Sequence, residues 1–168
     1  ETLRGVSLDT FYSAINLCRP SFIRVEADEV TYPMHIILRY EIERGLFDEN
    51  IKVKDLPEVW NDKMEEYLGI RPPNDSQGVL QDVHWSGGAF GYFPSYTLGA
   101  MHACQFYNKM LIDLKNVFKK IEDGDFACIK QWLNDNIHQQ GRLYSPDDLV
   151  LKITRQKLNP DIFINYLK

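Results

Sequence analysis

"DEVTYPMHIILRYEIERG", residues 28–45, decides the fold class. Its apolar side chains fall at Val30, Met34, Ile37, Leu38 and Ile42, mostly in steps of three and four, which line one face of a helix and no face of a strand. Pro33 suits the first turn of that helix, where its missing N–H costs little. Gly45 reads as the stop.

The same grammar extends both ways along the chain. Upstream, "LDTFYSAINLC" (8–18) puts Leu8, Phe11, Ile15 and Cys18 on one face behind Ser7 as N-cap, before Arg19-Pro20-Ser21 breaks the helix and Phe22 to Val25 forms a short extended piece. Downstream, Asp55-Leu56-Pro57-Glu58 reads as a capping box opening a helix through Trp60, Met64 and Tyr67 to Gly69. The paired prolines of "IRPPND" then enforce a loop. Residues 96–120 form one long helical pattern closed by "EDGD", and Asp125 caps another helix ending near Gly141. Ser145-Pro146 and Asn159-Pro160 each read as an N-cap followed by proline in the first turn. The fold class is therefore mainly α, a compact set of six to eight helices. A short hairpin near 78–86 is the one candidate for strand.

A chain of 168 residues is one domain's worth and long enough for a single core. With 44% hydrophobic and 26% charged residues it is too apolar for disorder. A net charge of −5 argues against a nucleic-acid or anionic-membrane surface, which needs a basic face. No apolar run approaches the roughly 18 residues of a membrane span, and no signal peptide is read at the start. Cys18, Cys104 and Cys128 are widely spaced and odd in number, which points to reduced thiols in the cytoplasm.

One segment breaks the helical rule. "GVLQDVHWSGGAFGYFPSY" (78–96) concentrates Gln81, Asp82, His84, Tyr92, Tyr96 and several glycines with little periodicity, as a segment built to place side chains around something would. The chemistry these residues could do alone is limited. The four histidines, His35, His84, His102 and His138, include no pair four apart, and the cysteines lack CxxC spacing, so no zinc site is read here. "HWSGG" is not the GxSxG turn of a serine hydrolase. Asp82 and His84 lie two apart, so an extended backbone would turn them to one side; they are either an oriented catalytic imidazole or a satisfied hydrogen-bond pair. Arg24, between Ile23 and Val25, is either an anion clamp or a structural ion pair with Glu26 or Asp28.

Two stretches taken together change the weight of those readings. "IRVEAD" (23–28) fits the pattern (I/V)RxxAD and "GVLQDVHW" (78–85) fits GxxQDxHW, both motifs of the carboxypeptidase Taq family of zinc metallocarboxypeptidases. The chain resembles that family from about residue 6 to its end. The family's HPF, DxRxT, HExxH and HE(S/G)Q motifs lie N-terminal to (I/V)RxxAD and are absent here, so residues 1–168 resemble the C-terminal part of a catalytic domain of a groove-type HExxH metallopeptidase. The resemblance implies that Arg24 contacts the free C-terminal carboxylate of a peptide, with Gln81 beside it in substrate binding. It implies that His84 and a following tyrosine face the scissile carbonyl, Tyr96 as first choice and Tyr92 as second, with Asp82 orienting His84. Gly87, Gly88 and Gly91 would let backbone approach the substrate.

The implied cofactor is zinc or another divalent metal in the full-length enzyme, with none bound by this chain. The implied partners are peptides with a free C-terminus, the N-terminal part of the same protein and a second copy in a homodimer, with no nucleic acid and no membrane. The competing reading is an independent helical interaction module or a pseudoenzyme.

Overall fold

The computed structural model describes residues 3–168, and they form eight α-helices with no strand among them. In chain order these are α1 (Leu8–Ile15), α2 (Tyr32–Phe47), α3 (Leu56–Leu68), α4 (Pro94–Asp113), α5 (Val117–Glu122), α6 (Ala127–Asn136), α7 (Pro146–Thr154) and α8 (Pro160–Leu167). Eight helices fall within the six to eight expected, and they group into two compact units divided between Thr97 and Leu98, inside α4.

The first unit is organised by α2 packing on α3. Leu38 and Ile42 from α2 meet Trp60, Met64 and Leu68 from α3 in a fully buried cluster. The spacing of four in each set is what one helical face delivers. Phe22, Val79 and Trp85 from the flanking loops pack around it. Each such side chain contributes about 1.5–3 kcal/mol when fully buried.

The start of α2 depends on Asp28. Its carboxylate accepts from the backbone N–H groups of Val30 and Thr31 at 2.9 Å, from the Thr31 hydroxyl at 2.9 Å and from the Arg19 N–H at 2.9 Å. Burial opposes its ionisation, yet these hydrogen bonds, led by those from Thr31, hold the carboxyl below the usual carboxylate range. Asp28 is therefore occupied in closing a turn, and the ion pair with Arg24 offered as an alternative does not form.

Gly45 is not the stop that the sequence suggests, because α2 continues to Phe47 with Asp48 as C-cap. Its glycine serves a close approach instead. The Gly45 carbonyl accepts from Asn50 and Ile51 N–H groups at 2.9 Å, and a Cβ there would overlap the Ile51 side chain. Asp55 precedes α3 in a helical conformation and makes no side-chain cap, so no capping box forms, whereas Gly69 does close α3 in the left-handed region. Residues 24–26 form a single 3₁₀ turn rather than an extended piece.

The hairpin expected near 78–86 is absent. Gly87 N–H donates to Val83 O at 2.9 Å and Ala89 N–H to His84 O at 2.8 Å, local bonds that curl the backbone instead of pairing it across. Helix α1 begins at the expected Ser7 cap, whose hydroxyl accepts from Thr10 N–H, and none of its residues is buried.

In the second unit Met110, Trp132 and Ile153 form the core, with Phe106, Ile129, Leu133 and Leu149 around them. The helical pattern of residues 96–120 is two helices, since Asn116 turns left-handed (φ 58°) between α4 and α5. Ser145 and Asn159 cap α7 and α8 as expected, each followed by proline. Gln105, 1% exposed, donates to Thr154 Oγ1 and Lys157 O at 3.0 Å and accepts from Asn159 N–H at 2.9 Å, which ties the start of α8 to α4. Among the described residues no helix is long and apolar enough to cross a membrane.

Candidate active site

Arg24 opens the 3₁₀ turn after Ile23, and its backbone is fixed from a distance. The Arg24 N–H donates to Gln81 Oε1 at 2.9 Å, while Gln81 Nε2 donates to Phe22 O, Gln77 O and Gly78 O at 3.0–3.1 Å. Gln81 thus spends its amide on backbone. For the substrate-binding part expected of it, a carboxamide engaged by four main-chain groups has no donor left over, so it acts here on the Arg24 backbone.

The Arg24 side chain runs into the ion pair that defines the site. Nη2 lies 2.6 Å from Asp82 Oδ1 and Nε lies 3.2 and 3.3 Å from the two carboxylate oxygens, while Nη1 donates to the Tyr32 hydroxyl at 2.9 Å. Asp82 is shared. Arg39, 0% exposed, brings Nε to Oδ2 at 2.8 Å and donates from Nη1 to His35 O at 2.7 Å. Its guanidinium lies 4.4 Å from the Trp60 ring centre, a cation–π contact with the apolar core.

Arg24, Asp82 and Arg39 together carry one more positive than negative charge. Burial works against the Asp82 carboxylate, but its hydrogen bond to Arg24 and the charge of Arg39 hold it below the usual range. Burial pushes Arg39 down to about 10 in spite of Asp82. Burial also favours the neutral form of His35, fully enclosed beneath these groups, and with the charges of Arg39 and Arg24 lowers it to about 4.

His84 sits on the opposite flank of Asp82. Its Nε2 shares a hydrogen bond with the Tyr96 hydroxyl at 3.0 Å, and its ring packs on Phe93 with centroids 4.4 Å apart. The expected orienting bond from Asp82 does not form. His84 Nδ1 lies 3.7 Å from Asp82 Oδ1, beyond hydrogen-bond reach, because the carboxylate is drawn to the two guanidinium groups. Tyr96, at the start of α4, closes the cluster, with the Arg24 Cζ 5.0 Å from its ring centre. Tyr92 is exposed, leaning on Tyr96 (5.4 Å) and on His84 (5.8 Å) through ring contacts. Arg24, His84 and Tyr96 are therefore gathered in one place, and Tyr92 is at its rim.

Helix α2 supplies the frame. His35, Arg39 and Glu43 are all buried and stand four apart, which stacks them on one helical face. Glu43 accepts from the Trp85 indole N–H at 2.7 Å and from the Gly91 N–H, so one carboxylate holds both ends of the turn that follows His84. Gly91 meets it with φ +74°, a conformation that favours glycine. Sequence reasoning missed Tyr32, Arg39 and Glu43. The signal for the last two was present as polar residues at a spacing of four inside an otherwise apolar helix.

The residues present do not fit a metal. Among the described residues no three His, Cys, Asp or Glu side chains are grouped as ligands. His84 Nε2 is engaged by Tyr96, His102 Nδ1 lies 2.7 Å from Leu98 O, and His35 is enclosed beside two cations.

A family model described as carboxypeptidase Taq (M32) metallopeptidase matches residues 1–168. Carboxypeptidase 1 of Bacillus subtilis (strain 168) is 52% identical over 164 residues, covering 98% of this chain and 33% of that protein. Thermostable carboxypeptidase 1 of Pyrococcus furiosus is 45% identical over 157 residues, covering 94% of this chain and 32% of its own length. The solved structure of Pyrococcus furiosus carboxypeptidase superposes with a TM-score of 0.94 at 42% identity, over 99% of this chain and 33% of that one. The fold and the match over its whole length place this chain among the α-helical metallopeptidases. It belongs to the carboxypeptidase Taq (M32) family, and it spans about a third of the length of the relatives it matches.

Proposed function

We propose that this chain provides substrate recognition and oxyanion stabilisation in a metallocarboxypeptidase that removes single residues from peptide C-termini. The observation that carries the reading is the trio of buried Arg24 and Arg39 with the part-buried Asp82 between them, whose surplus positive charge stands beside the hydrogen-bonded pair His84–Tyr96. Asp82 occupies the Nε edge of Arg24, which leaves N–H groups on the terminal edge for a carboxylate. Held at a fixed place, a carboxylate clamp selects chain ends over internal bonds.

In this reading the substrate's terminal carboxylate pairs with Arg24, and the carbonyl of the last peptide bond faces His84 and Tyr96. A tyrosine hydroxyl or an imidazole N–H aimed at that oxygen stabilises the charge that develops as the carbonyl is attacked. The metal that the family name implies, zinc or another divalent ion, finds no ligand set among the described residues. The reading extends to a reducing, cytoplasmic setting, which three free cysteines favour.

The test is Arg24→Ala in the complete polypeptide. Binding of free-acid peptides should weaken by about 1.5–3 kcal/mol, the worth of a charged hydrogen bond, and amidated peptides should be hurt far less. Equal losses on acid and amide would make Arg24 a structural partner of Asp82 and nothing more.

A further inference from the structure

We infer that Tyr32 is the second donor to the substrate's terminal carboxylate, working beside Arg24; this rests on the carboxylate reading of Arg24 given above. The argument is one of proton direction. Arg24 Nη1 donates to the Tyr32 hydroxyl oxygen at 2.9 Å. A guanidinium has no lone pair to offer in return, so the hydroxyl must point its own proton elsewhere. Among the described residues no acceptor takes that proton, which makes it an unspent donor held against a cation.

The position is set by the fold. Tyr32 is the first residue of α2, directly after the turn that Asp28 closes through Val30 and Thr31. Its ring meets the edge of Tyr96 with centroids 6.4 Å apart, and the Arg24 Cζ lies 5.9 Å from the Tyr32 ring centre and 5.0 Å from that of Tyr96. Arg24, Tyr32 and Tyr96 thus lie against one another, and Tyr96 links them to His84.

A carboxylate has two oxygens and accepts from several donors at once. With Nε and Nη2 of Arg24 turned to Asp82, the guanidinium alone leaves that demand partly unmet. The Tyr32 proton adds a donor at the same edge. The pair also disfavours an amide terminus, because the guanidinium offers donors only and already occupies a lone pair of the Tyr32 oxygen, so an amide NH₂ finds poorer partners than a carboxylate oxygen does. A polar group left unpaired in such a site weakens binding. Tyr32 is thus a specificity-determining residue for chain ends that are free acids.

The experiment uses the complete polypeptide and a blocked dipeptide whose peptide bond is reduced to a methyleneamine. It is tested as a competitive inhibitor with either a carboxylate or a carboxamide terminus. Tyr32→Phe keeps the ring and removes only the hydroxyl. The acid should bind about 10- to 100-fold more weakly, and the amide should change by less than about twofold, as for loss of one charge-assisted hydrogen bond. If Tyr32→Phe leaves the acid unaffected while Arg24→Ala abolishes the acid preference, the inference about Tyr32 is overturned and the reading of Arg24 stands. Equal weakening of both probes by Tyr32→Phe also overturns it, since the hydroxyl would then serve only the fold. If Arg24→Ala itself weakens both probes equally, the carboxylate site falls and Tyr32's role in it falls too.

Discussion

Arg39 holds Asp82 from beneath, with its Nε 2.8 Å from Oδ2 and its own side chain fully out of solvent. The carboxylate is therefore shared as counter-charge by two buried cations. Asp82→Asn should remove that charge and leave Arg39 uncompensated. Breaking a buried pair in this way costs about 3–5 kcal/mol. Denaturant unfolding of the purified chain measures it, and a loss under about 1 kcal/mol would mean that the arginines rearrange toward water.

His35 gives the fold a pH dependence of known sign. Its folded pKa is lowered from 6.5 to about 4 by burial and by Arg39 and Arg24. Between those values the unfolded chain binds a proton that the folded chain refuses, so stability falls as pH drops from 6.5 toward 4. At about 1.36 kcal/mol per unit of pH the fall reaches about 3 kcal/mol. Asp82, held low by the arginines, works in the same direction at more acid pH, its stabilisation being lost as pH falls through its depressed folded value. Unfolding free energies from pH 7 to 4 should show the slope, and His35→Gln should flatten it. An unchanged slope in that variant would assign the effect to other groups.

Glu43 tests whether the turn after His84 is built or merely permitted. Glu43→Gln preserves size but places an NH₂ group against either the Trp85 indole N–H or the Gly91 N–H, both of which the carboxylate accepts. The expected cost is about 1–3 kcal/mol, that of leaving a buried donor unpaired. Faster hydrogen exchange at the Gly91 amide and a shifted Trp85 indole resonance should accompany it. Glu41→Gln is the control. Its carboxylate is more than a third exposed, with half-buried Lys63 and Tyr67 as partners, so the change should cost less than Glu43→Gln, about 1 kcal/mol. Matching losses in the two variants would refute the special place of Glu43.

These same residues mark where the sequence was legible. The apolar stripe of α2 was readable because a helical face repeats locally, and so were the caps at Ser7, Ser145 and Asn159. The chemistry of the polar stripe on the same helix was not. Arg39 and Glu43 find their partners at Asp82, Trp85 and Gly91, more than forty residues away, and no local period records such a pairing. The motif "GVLQDVHW" pointed to the candidate site, but alternating side chains mimicked a strand there and suggested that Asp82 faces His84. In the folded chain the local turn and two guanidinium groups take the carboxylate instead. The break between α4 and α5 fell at Asn116, with no glycine or proline to announce it.

The choice between the two tyrosines follows from the His84 imidazole. Tyr96 places its hydroxyl 3.0 Å from Nε2, whereas Tyr92 touches His84 only through its ring and is largely in solvent. A hydroxyl already paired to the imidazole is positioned before substrate arrives, and preorganised donors are the ones that stabilise a developing oxyanion. In the complete polypeptide Tyr96→Phe should therefore lower kcat by roughly 10²–10³ with little change in KM, the pattern of an interaction made only in the transition state. Tyr92→Phe should change kcat by less than about tenfold, since its hydroxyl is not held in place. Its ring contacts with Tyr96 and His84 remain in the variant. Steady-state kinetics on a free-acid peptide separates the two. If Tyr92→Phe shows the large fall in kcat and Tyr96→Phe does not, the Tyr96 hydroxyl serves to hold His84 and Tyr92 swings in as the donor.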